Sequence, residues 1–230
     1  MAVVFAQSHD IPSFKLSMPE AALIAHQRLY EYLDDLDRTV LLRLAREERS
    51  ISERGLYTLA PEIPSDLLPK SIDLVTPAPP PDFREYTRRN IFIVSERFKA
   101  CVDAAGGAGQ NFHPLTLEPR FSGEVRPREA RPPYAYYFWV IDTVLDAVCT
   151  EGAWAGGVKP VARGSENLAL ATGDGSGSRS RCAVRAAAID GHPAWFDMRH
   201  TQPFVSDAVW QNLTDAGVSG MLAQSEWAEV

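Results

Sequence analysis

Histidine and cysteine are the side chains in this sequence most able to bind a metal ion or to attack a substrate. The five histidines form no His-Glu-x-x-His motif, and no two of the three cysteines stand at the spacing of a zinc site. The closest grouping is His192, Asp197 and His200, which could bind a metal ion or serve a hydrolase. The other interpretation packs His192 on Trp195, and on this basis we expect no metal site.

Two serines occupy the kind of strand-to-helix junction at which hydrolases place a nucleophile. Ser95 and Ser206 each follow a short apolar run and precede an acidic residue, Glu96 or Asp207. A nucleophile elbow needs Gly-x-Ser-x-Gly because only small residues tolerate that turn, and neither serine has glycine at both places. Both serines are therefore predicted to be helix N-caps, with the acidic residue in the positive first turn.

The glycine-rich stretch 173–178 could be taken for a phosphate loop, but no Gly-Lys-Ser/Thr follows it. This stretch does not fit a dinucleotide-binding fingerprint either. No pair of acidic residues identifies a general acid and base. The sequence therefore predicts no catalytic residue and no cofactor, and we expect a protein that is not an enzyme.

Acidic residues cluster on one predicted helix. Leucine and valine recur at helical spacing from Leu29 to Leu44, after a capping pattern that begins at Ser17. The opposite side carries acidic residues, namely Glu31, Asp34, Asp35 and Asp37. The plain interpretation is a solvated helix face, and the alternative is an acidic patch that meets a basic protein surface.

Composition and charge limit the class of protein. The chain has 230 residues, 45% of them hydrophobic, and a net charge of −7, with both halves mildly acidic. Nucleic acid is therefore not expected as a direct partner. The start of the sequence lacks the pattern of a secretory signal, and no apolar run approaches the ~20 residues of a membrane span. Three distant cysteines suit a reducing compartment, so we expect a soluble cytoplasmic protein.

Apolar patterning and proline content divide the chain into three regions. Residues 1–59 are predicted to be an N-terminal helical segment. Residues 60–83, which end in a run of prolines, are predicted to be an extended linker. Residues 84–230 are predicted to form one domain in which strands alternate with short helices, including a hairpin that turns at Asp190-Gly191. The fold class is therefore α+β, an N-terminal helical segment followed by a mixed or antiparallel sheet with a few packed helices.

Two stretches of this domain are alike. Ile93-Val94-Ser95-Glu96 and Phe204-Val205-Ser206-Asp207 share a layout, and each predicted helix closes at Ala-Gly about eleven residues after the serine. We interpret the similarity as shared capping chemistry, which does not by itself establish a repeat.

The segments Ile91 to Lys99, Phe112-His113-Pro114-Leu115, His192-Pro193-Ala194-Trp195 and Phe204 to Gly220 together resemble a bacterial immunity-protein family. That family was formerly a domain of unknown function and occurs beside polymorphic toxins, including those of contact-dependent and type VI secretion systems. The likeness covers about residues 84–222. The alanine- and glycine-rich segment 150–180 departs from the family pattern.

The resemblance implies an α+β fold without a cofactor, in a bacterial antitoxin that binds a cognate toxin in the cytoplasm. It supplies no catalytic motif, and the shared residues are expected to be structural: Ser95, Glu96, Phe98, His113, His192, Trp195, Ser206, Asp207 and Gly217. Toxin binding is expected in the variable parts, and Glu31, Asp34, Asp35 and Asp37 are the candidate residues.

Two other functions remain open from the sequence. One is an uncharacterised hydrolase-like or metal-dependent enzyme that uses the His192, Asp197 and His200 region. The other is an oligomeric adaptor or scaffold, in which the helical segment pairs with a second copy of the chain. The function that we expect is toxin neutralisation by direct protein binding.

Overall fold

The computed structural model describes residues 1–8, 15–46, 63–76, 78–87, 91–107, 109–120, 132–151, 158–160, 168–170, 182–197, 200 and 202–230. Within these ranges the chain forms two six-stranded sheets with packed helices, which is the α+β class expected from the sequence. A separate antiparallel pair consists of β9 (Val158–Pro160) and β10 (Leu168–Leu170). No helix in the described part of the chain is long and apolar enough to span a membrane.

The first sheet has its most buried strand near one edge. Its strands, in spatial order, are β2 (Leu16–Ser17), β3 (Ser71–Leu74), β6 (Asn111–Pro119), β7 (Tyr134–Val140), β5 (Ile91–Ser95) and β4 (Phe83–Thr87). Every residue of β5 is buried, as the β-branched and aromatic run predicts. The strand runs directly into helix α2 (Glu96–Ala104), and the long helix α1 (Glu20–Arg46) covers the opposite face of the sheet.

The second sheet takes its central strand from the start of the chain. Its order is β11 (Ala183–Val184), β14 (Met221–Glu229), β1 (Ala2–Gln7), β13 (Pro203–Ser206), β12 (Ala194–Asp197) and β8 (Val144–Leu145). The short helix α3 (Ala186–Ile189) lies between β11 and β12, and α4 (Asp207–Asp215) follows β13.

Five strands of each sheet repeat one topology. The order β3-β6-β7-β5-β4 corresponds to β11-β14-β1-β13-β12; in both series the first pair is parallel and the next three pairs are antiparallel. The register agrees as well, since Ser95 is opposite Tyr136 in the first series and Ser206 is opposite Ala2 in the second. We call the two series, each with its helix α2 or α4, the first unit and the second unit. The chain therefore contains a true structural repeat, in which β1 supplies the strand that corresponds to β7.

Matching caps begin and end the helices of the two units. The Ser95 hydroxyl accepts a hydrogen bond from the Phe98 N–H at 3.1 Å, and the Ser206 hydroxyl accepts one from the Val209 N–H at 3.3 Å. After the helices the backbone turns through Gly106 (φ 88°) and Gly217 (φ 62°), a left-handed conformation that glycine adopts without strain. These residues are the helix caps and helix-ending glycines that the sequence similarity predicted.

Three apolar clusters hold the layers together. The central cluster fills the space between the two units and contains Phe5, Phe83, Phe92, Phe98 and Trp139 among its buried residues. A second cluster lies between the first sheet and α1, and a third covers the other face of the second sheet around Trp195, Phe204 and Trp227. Because both units contribute to the central cluster, neither completes its core alone.

The elements divide the chain differently from the three regions expected from its sequence. Residues 1–59 include β1, which is paired on both sides inside the second sheet, and 60–83 include β3 of the first sheet. The reason for the first difference is that β1 is a buried strand with no polar alternation, so its short apolar run carries little signal. The expected hairpin at Asp190-Gly191 is wrong, because the residues before the turn form α3, and β11 and β12 pair with other strands.

Candidate protein-binding surface

Helix α1 is held on the first sheet by one of its faces. Ala22, Leu29 and Leu33 are almost fully buried, and their spacing of seven and four residues places them on one side of the helix. Leu29 and Leu33 pack into the cluster that contains Ile72, Leu117 and Phe138 of the sheet. The first two leucines of the predicted stripe therefore attach α1 to the sheet, which fixes the direction of the other face of the helix; the side chains of the stripe from residue 40 onward lie outside the described residues.

Polar contacts fasten the first half of the same helix. His26 Nδ1 lies 2.7 Å from the Tyr86 hydroxyl on β4, and Arg28 pairs with Asp66 at 3.2 Å. Burial lowers the pKa of His26, so the ring is neutral at pH 7, and burial raises the pKa of Tyr86, which keeps its proton. The His26 ring also contacts Tyr30 edge to face, with 4.6 Å between ring centroids. The Tyr30 ring thereby rests against a side chain of the same helix while part of it stays exposed.

The outer face of α1 combines exposed apolar and acidic side chains. Leu23 and Ile24 are each 54% exposed and Tyr30 is 43% exposed, and these are three of the five large hydrophobic residues exposed in the described part of the chain. The carboxylates of Glu31, Asp34 and Asp35 are exposed on the following turns. We call these six residues the outer face of α1. The side chain of Asp37, the fourth acidic candidate, lies outside the described residues.

The apolar part of this surface was missed in the sequence, although a signal was present. Leu23 and Ile24 fall outside the stripe that begins at Leu29, and a helical projection places them on the same side as Glu31. Exposed apolar residues in a group, bordered by charge, are typical of protein interfaces. The acidic candidates Glu31, Asp34 and Asp35 are brought together with them.

The residues that the resemblance marks as structural mostly make structural contacts. Phe98 is fully buried, and Trp195 is fully buried and stacks on Phe204 with 5.5 Å between centroids. Glu96 and Asp207 occupy the first turns of α2 and α4, after the two serine caps. Glu96 also accepts a hydrogen bond from the Tyr137 hydroxyl at 3.0 Å.

The two histidines among these residues, His113 and His192, have separate environments. His113 is half-buried on β6, where burial lowers the pKa of its ring. His192 follows the turn after α3 and lines a cavity together with Pro193 and Ser206. Neither histidine lies on the outer face of α1.

The region of His192, Asp197 and His200 is dominated by backbone hydrogen bonds. The buried Asp197 carboxylate accepts the N–H groups of Ala147, Val148 and His200 at 2.8 to 2.9 Å. The His200 ring packs against Phe204 and Trp227. Among the residues that the structure describes, no group of three His, Cys, Asp or Glu side chains is placed to hold a metal ion. Asp197 therefore connects the loop at 147–148 to the end of β12 through these hydrogen bonds.

Comparisons with known proteins give no family for this chain. No protein-family model matches the sequence, and no curated protein matches it significantly. The likeness to immunity proteins therefore depends on the short segments named above.

Proposed function

We propose that this protein is an immunity protein that neutralises a cognate bacterial toxin by direct binding, with the outer face of α1 as part of the interface. The observation that carries the proposal is the adjacency of Leu23, Ile24 and Tyr30 to three exposed carboxylates on one helix. Protein interfaces combine an apolar centre with a polar rim in this way. The sequence segments that resemble the immunity-protein family support the same function.

Charge indicates the chemistry of the partner. The whole chain carries a net charge of −7, and Glu31, Asp34 and Asp35 concentrate negative charge on the outer face of α1. Such a surface attracts a basic partner over long range and raises the rate of encounter. The expected toxin therefore presents a positively charged surface, as enzymes that act on nucleic acids or phosphates do.

The apolar residues supply the affinity that charge alone does not. Tyrosine is enriched among residues that dominate binding energy, and its cost of ordering is reduced when the ring is already held. The contact of Tyr30 with His26 provides this orientation before any partner arrives. A stable interface buries roughly 800 Å² on each partner, so we expect the contact to extend from the outer face of α1 to neighbouring surface.

Co-expression with the products of neighbouring genes tests the proposal. Rescue of growth from a toxic neighbour, together with a stable 1:1 complex, is the expected result. The triple variant Glu31→Lys/Asp34→Lys/Asp35→Lys should then abolish rescue and weaken the complex. The matched control is Asp142→Lys/Glu151→Lys/Glu226→Lys, which reverses three exposed carboxylates elsewhere and changes the net charge equally.

The two variants separate a specific surface from general electrostatics. Equal loss of rescue in both would assign the effect to net charge and overturn the role of α1. Absence of any complex or rescue with every neighbouring product would overturn the immunity function itself.

A further inference from the structure

Because the two units are related by the repeat, equivalent positions in them can be compared. Positions 82–107 of the first unit match positions 193–218 of the second without insertion or deletion, as the paired registers and the two serine caps show. Helices α2 and α4 pack together, with the start of each near the end of the other: Arg97 reaches the Gly217 carbonyl, and Ser206 lines one cavity with Gly106. The fold therefore has two equivalent seams, one at the start of α2 and one at the start of α4.

The first seam, at the start of α2, is closed by an ion pair. Arg97 pairs with the Asp82 carboxylate and donates a hydrogen bond to the Gly217 carbonyl at 3.2 Å, just beyond the end of α4. Asp82 also accepts hydrogen bonds from Ser95 and Ser219. Gly220 lies so near this seam that a Cβ atom would come within 2.3 Å of the Phe83 carbonyl oxygen.

The second seam, at the start of α4, is open. Pro193 stands where the first unit has Asp82, and Ala208 stands where it has Arg97, so both members of the ion pair are missing. The same numbering offset continues into β6 and β14 and makes Gly109 the counterpart of Gly220, and a Cβ atom at Gly109 would have no atom within 4 Å. The space is a cavity of about 540 Å³, within the size range of small-ligand sites. Its lining includes Gly106, the counterpart of Gly217.

The lining of the open seam favours a positive charge. The Gly106 carbonyl is the counterpart of the one that Arg97 reaches, and it follows the C-terminus of α2, where the helix dipole is negative. Asp190 adds an exposed carboxylate to the rim. Glu229 adds a second, which lies 3.2 Å from the α-amino group of Met1. No donor from the described residues reaches the Gly106 carbonyl oxygen.

We propose that the open seam binds the guanidinium group of an arginine side chain from a partner protein, in the place that Arg97 fills in the first seam. Arginine suits the site better than lysine because its planar fork reaches a carboxylate and a carbonyl together. The site does not depend on the proposed immunity function. That the arginine belongs to the basic toxin rests on that function.

Binding of N-acetyl-arginine-methylamide to the full chain, followed by amide NMR, tests the site without any toxin. We expect saturable shifts at Gly106, Asp190 and Gly191. The citrulline analogue, which has the same shape and no charge, should give none. Asp190→Asn should weaken binding by about two- to fivefold. Asp142→Asn, a change at an exposed carboxylate outside the cavity lining, is the matched control and should leave binding unchanged.

The variant Ala208→Arg gives the sharper result, because it supplies the missing guanidinium from within the chain. It should abolish saturable binding of the arginine derivative while the amide spectrum stays folded. Equal shifts with arginine and citrulline, or unchanged binding in Ala208→Arg, would overturn the proposal. Saturable arginine binding without toxin rescue would contradict only the immunity function, and rescue without arginine binding would contradict only the site.

Discussion

Phe5 and Trp139 stack in the centre of the molecule, with 6.0 Å between ring centroids and 13° between ring planes. The two residues occupy equivalent positions of the repeat, because Phe5 is opposite Ala223 in the second unit and Trp139 is opposite Phe112 in the first. Equivalent side chains of the corresponding strands β1 and β7 therefore meet in the core between the units. Their shared core joins the start of the chain to its middle.

Removal of the Phe5 ring should destabilise both units together. Phe5 is 1% exposed and contacts Phe83, Phe92 and Trp139, so Phe5→Ala leaves a cavity in the shared core. The expected loss is about 3–5 kcal/mol in the free energy of unfolding. Urea denaturation followed by tryptophan fluorescence and by far-UV circular dichroism should give one coincident transition. Two separate transitions would show that the units fold independently.

The repeat was only partly predictable, for a physical reason. The serine caps and closing glycines appear in the sequence because hydrogen bonding and backbone conformation restrict those positions to few residue types. The strands equivalent to each other share burial and register but little sequence; Phe83 corresponds to Ala194, for example. The use of β1 as the last strand of the second unit involves pairing across the whole chain, which no local pattern records.

The two serine caps should differ in their contribution to stability. Ser206→Ala removes one hydrogen bond, to the Val209 N–H, and should cost about 1 kcal/mol. Ser95→Ala removes the corresponding bond and also the bond from the hydroxyl to Asp82, which leaves a buried carboxylate short of a donor. We expect about 2 kcal/mol for Ser95→Ala, measured by chemical denaturation. Equal costs would show that the Ser95–Asp82 bond contributes nothing.

Asp82 should make the protein sensitive to acid. Burial by itself would raise the pKa of this carboxyl, but hydrogen bonds from Arg97, Ser219 and Ser95 outweigh it and hold the pKa below its usual value. Because the folded-state pKa is lower than the unfolded one, the stabilisation is complete above the unfolded value of about 3.9 and is lost as the pH falls through the folded value.

The variant Asp82→Asn isolates this contribution. At pH 7 it should lower the free energy of unfolding by about 1–3 kcal/mol, and the difference from the wild type should shrink when the pH falls below about 4. Denaturation curves at pH 7, 5, 4 and 3 measure the effect. The exposed-residue control Asp142→Asn should show no such convergence. A difference that stays constant with pH would contradict the role of the ionised carboxylate.

The candidate surface was also predictable in part. The acidic residues Glu31, Asp34 and Asp35 could be placed on one helix side because helical periodicity determines direction once the buried stripe is known. The exposure of Leu23 and Ile24 follows from the same periodicity, because both residues fall outside the buried stripe of the helix. The open seam could not be found at all from sequence, because it is defined by the contrast between two units.

Alanine substitutions on the two faces of α1 should affect different properties, namely stability on the buried face and toxin binding on the outer face. Leu29 is fully buried against the first sheet, so Leu29→Ala should lower the free energy of unfolding by about 2–5 kcal/mol. Leu23→Ala and Ile24→Ala, on the outer face, should change it by less than about 0.5 kcal/mol. If the outer face binds the toxin, the latter two should each weaken the complex by at least about fivefold, because contacts at the centre of an interface dominate its energy. Denaturation and titration calorimetry on the same three proteins measure both quantities. Tight binding by Leu23→Ala and Ile24→Ala would remove the outer face of α1 from the interface, whereas a large loss of stability in either would mean that this face is packed against the protein itself.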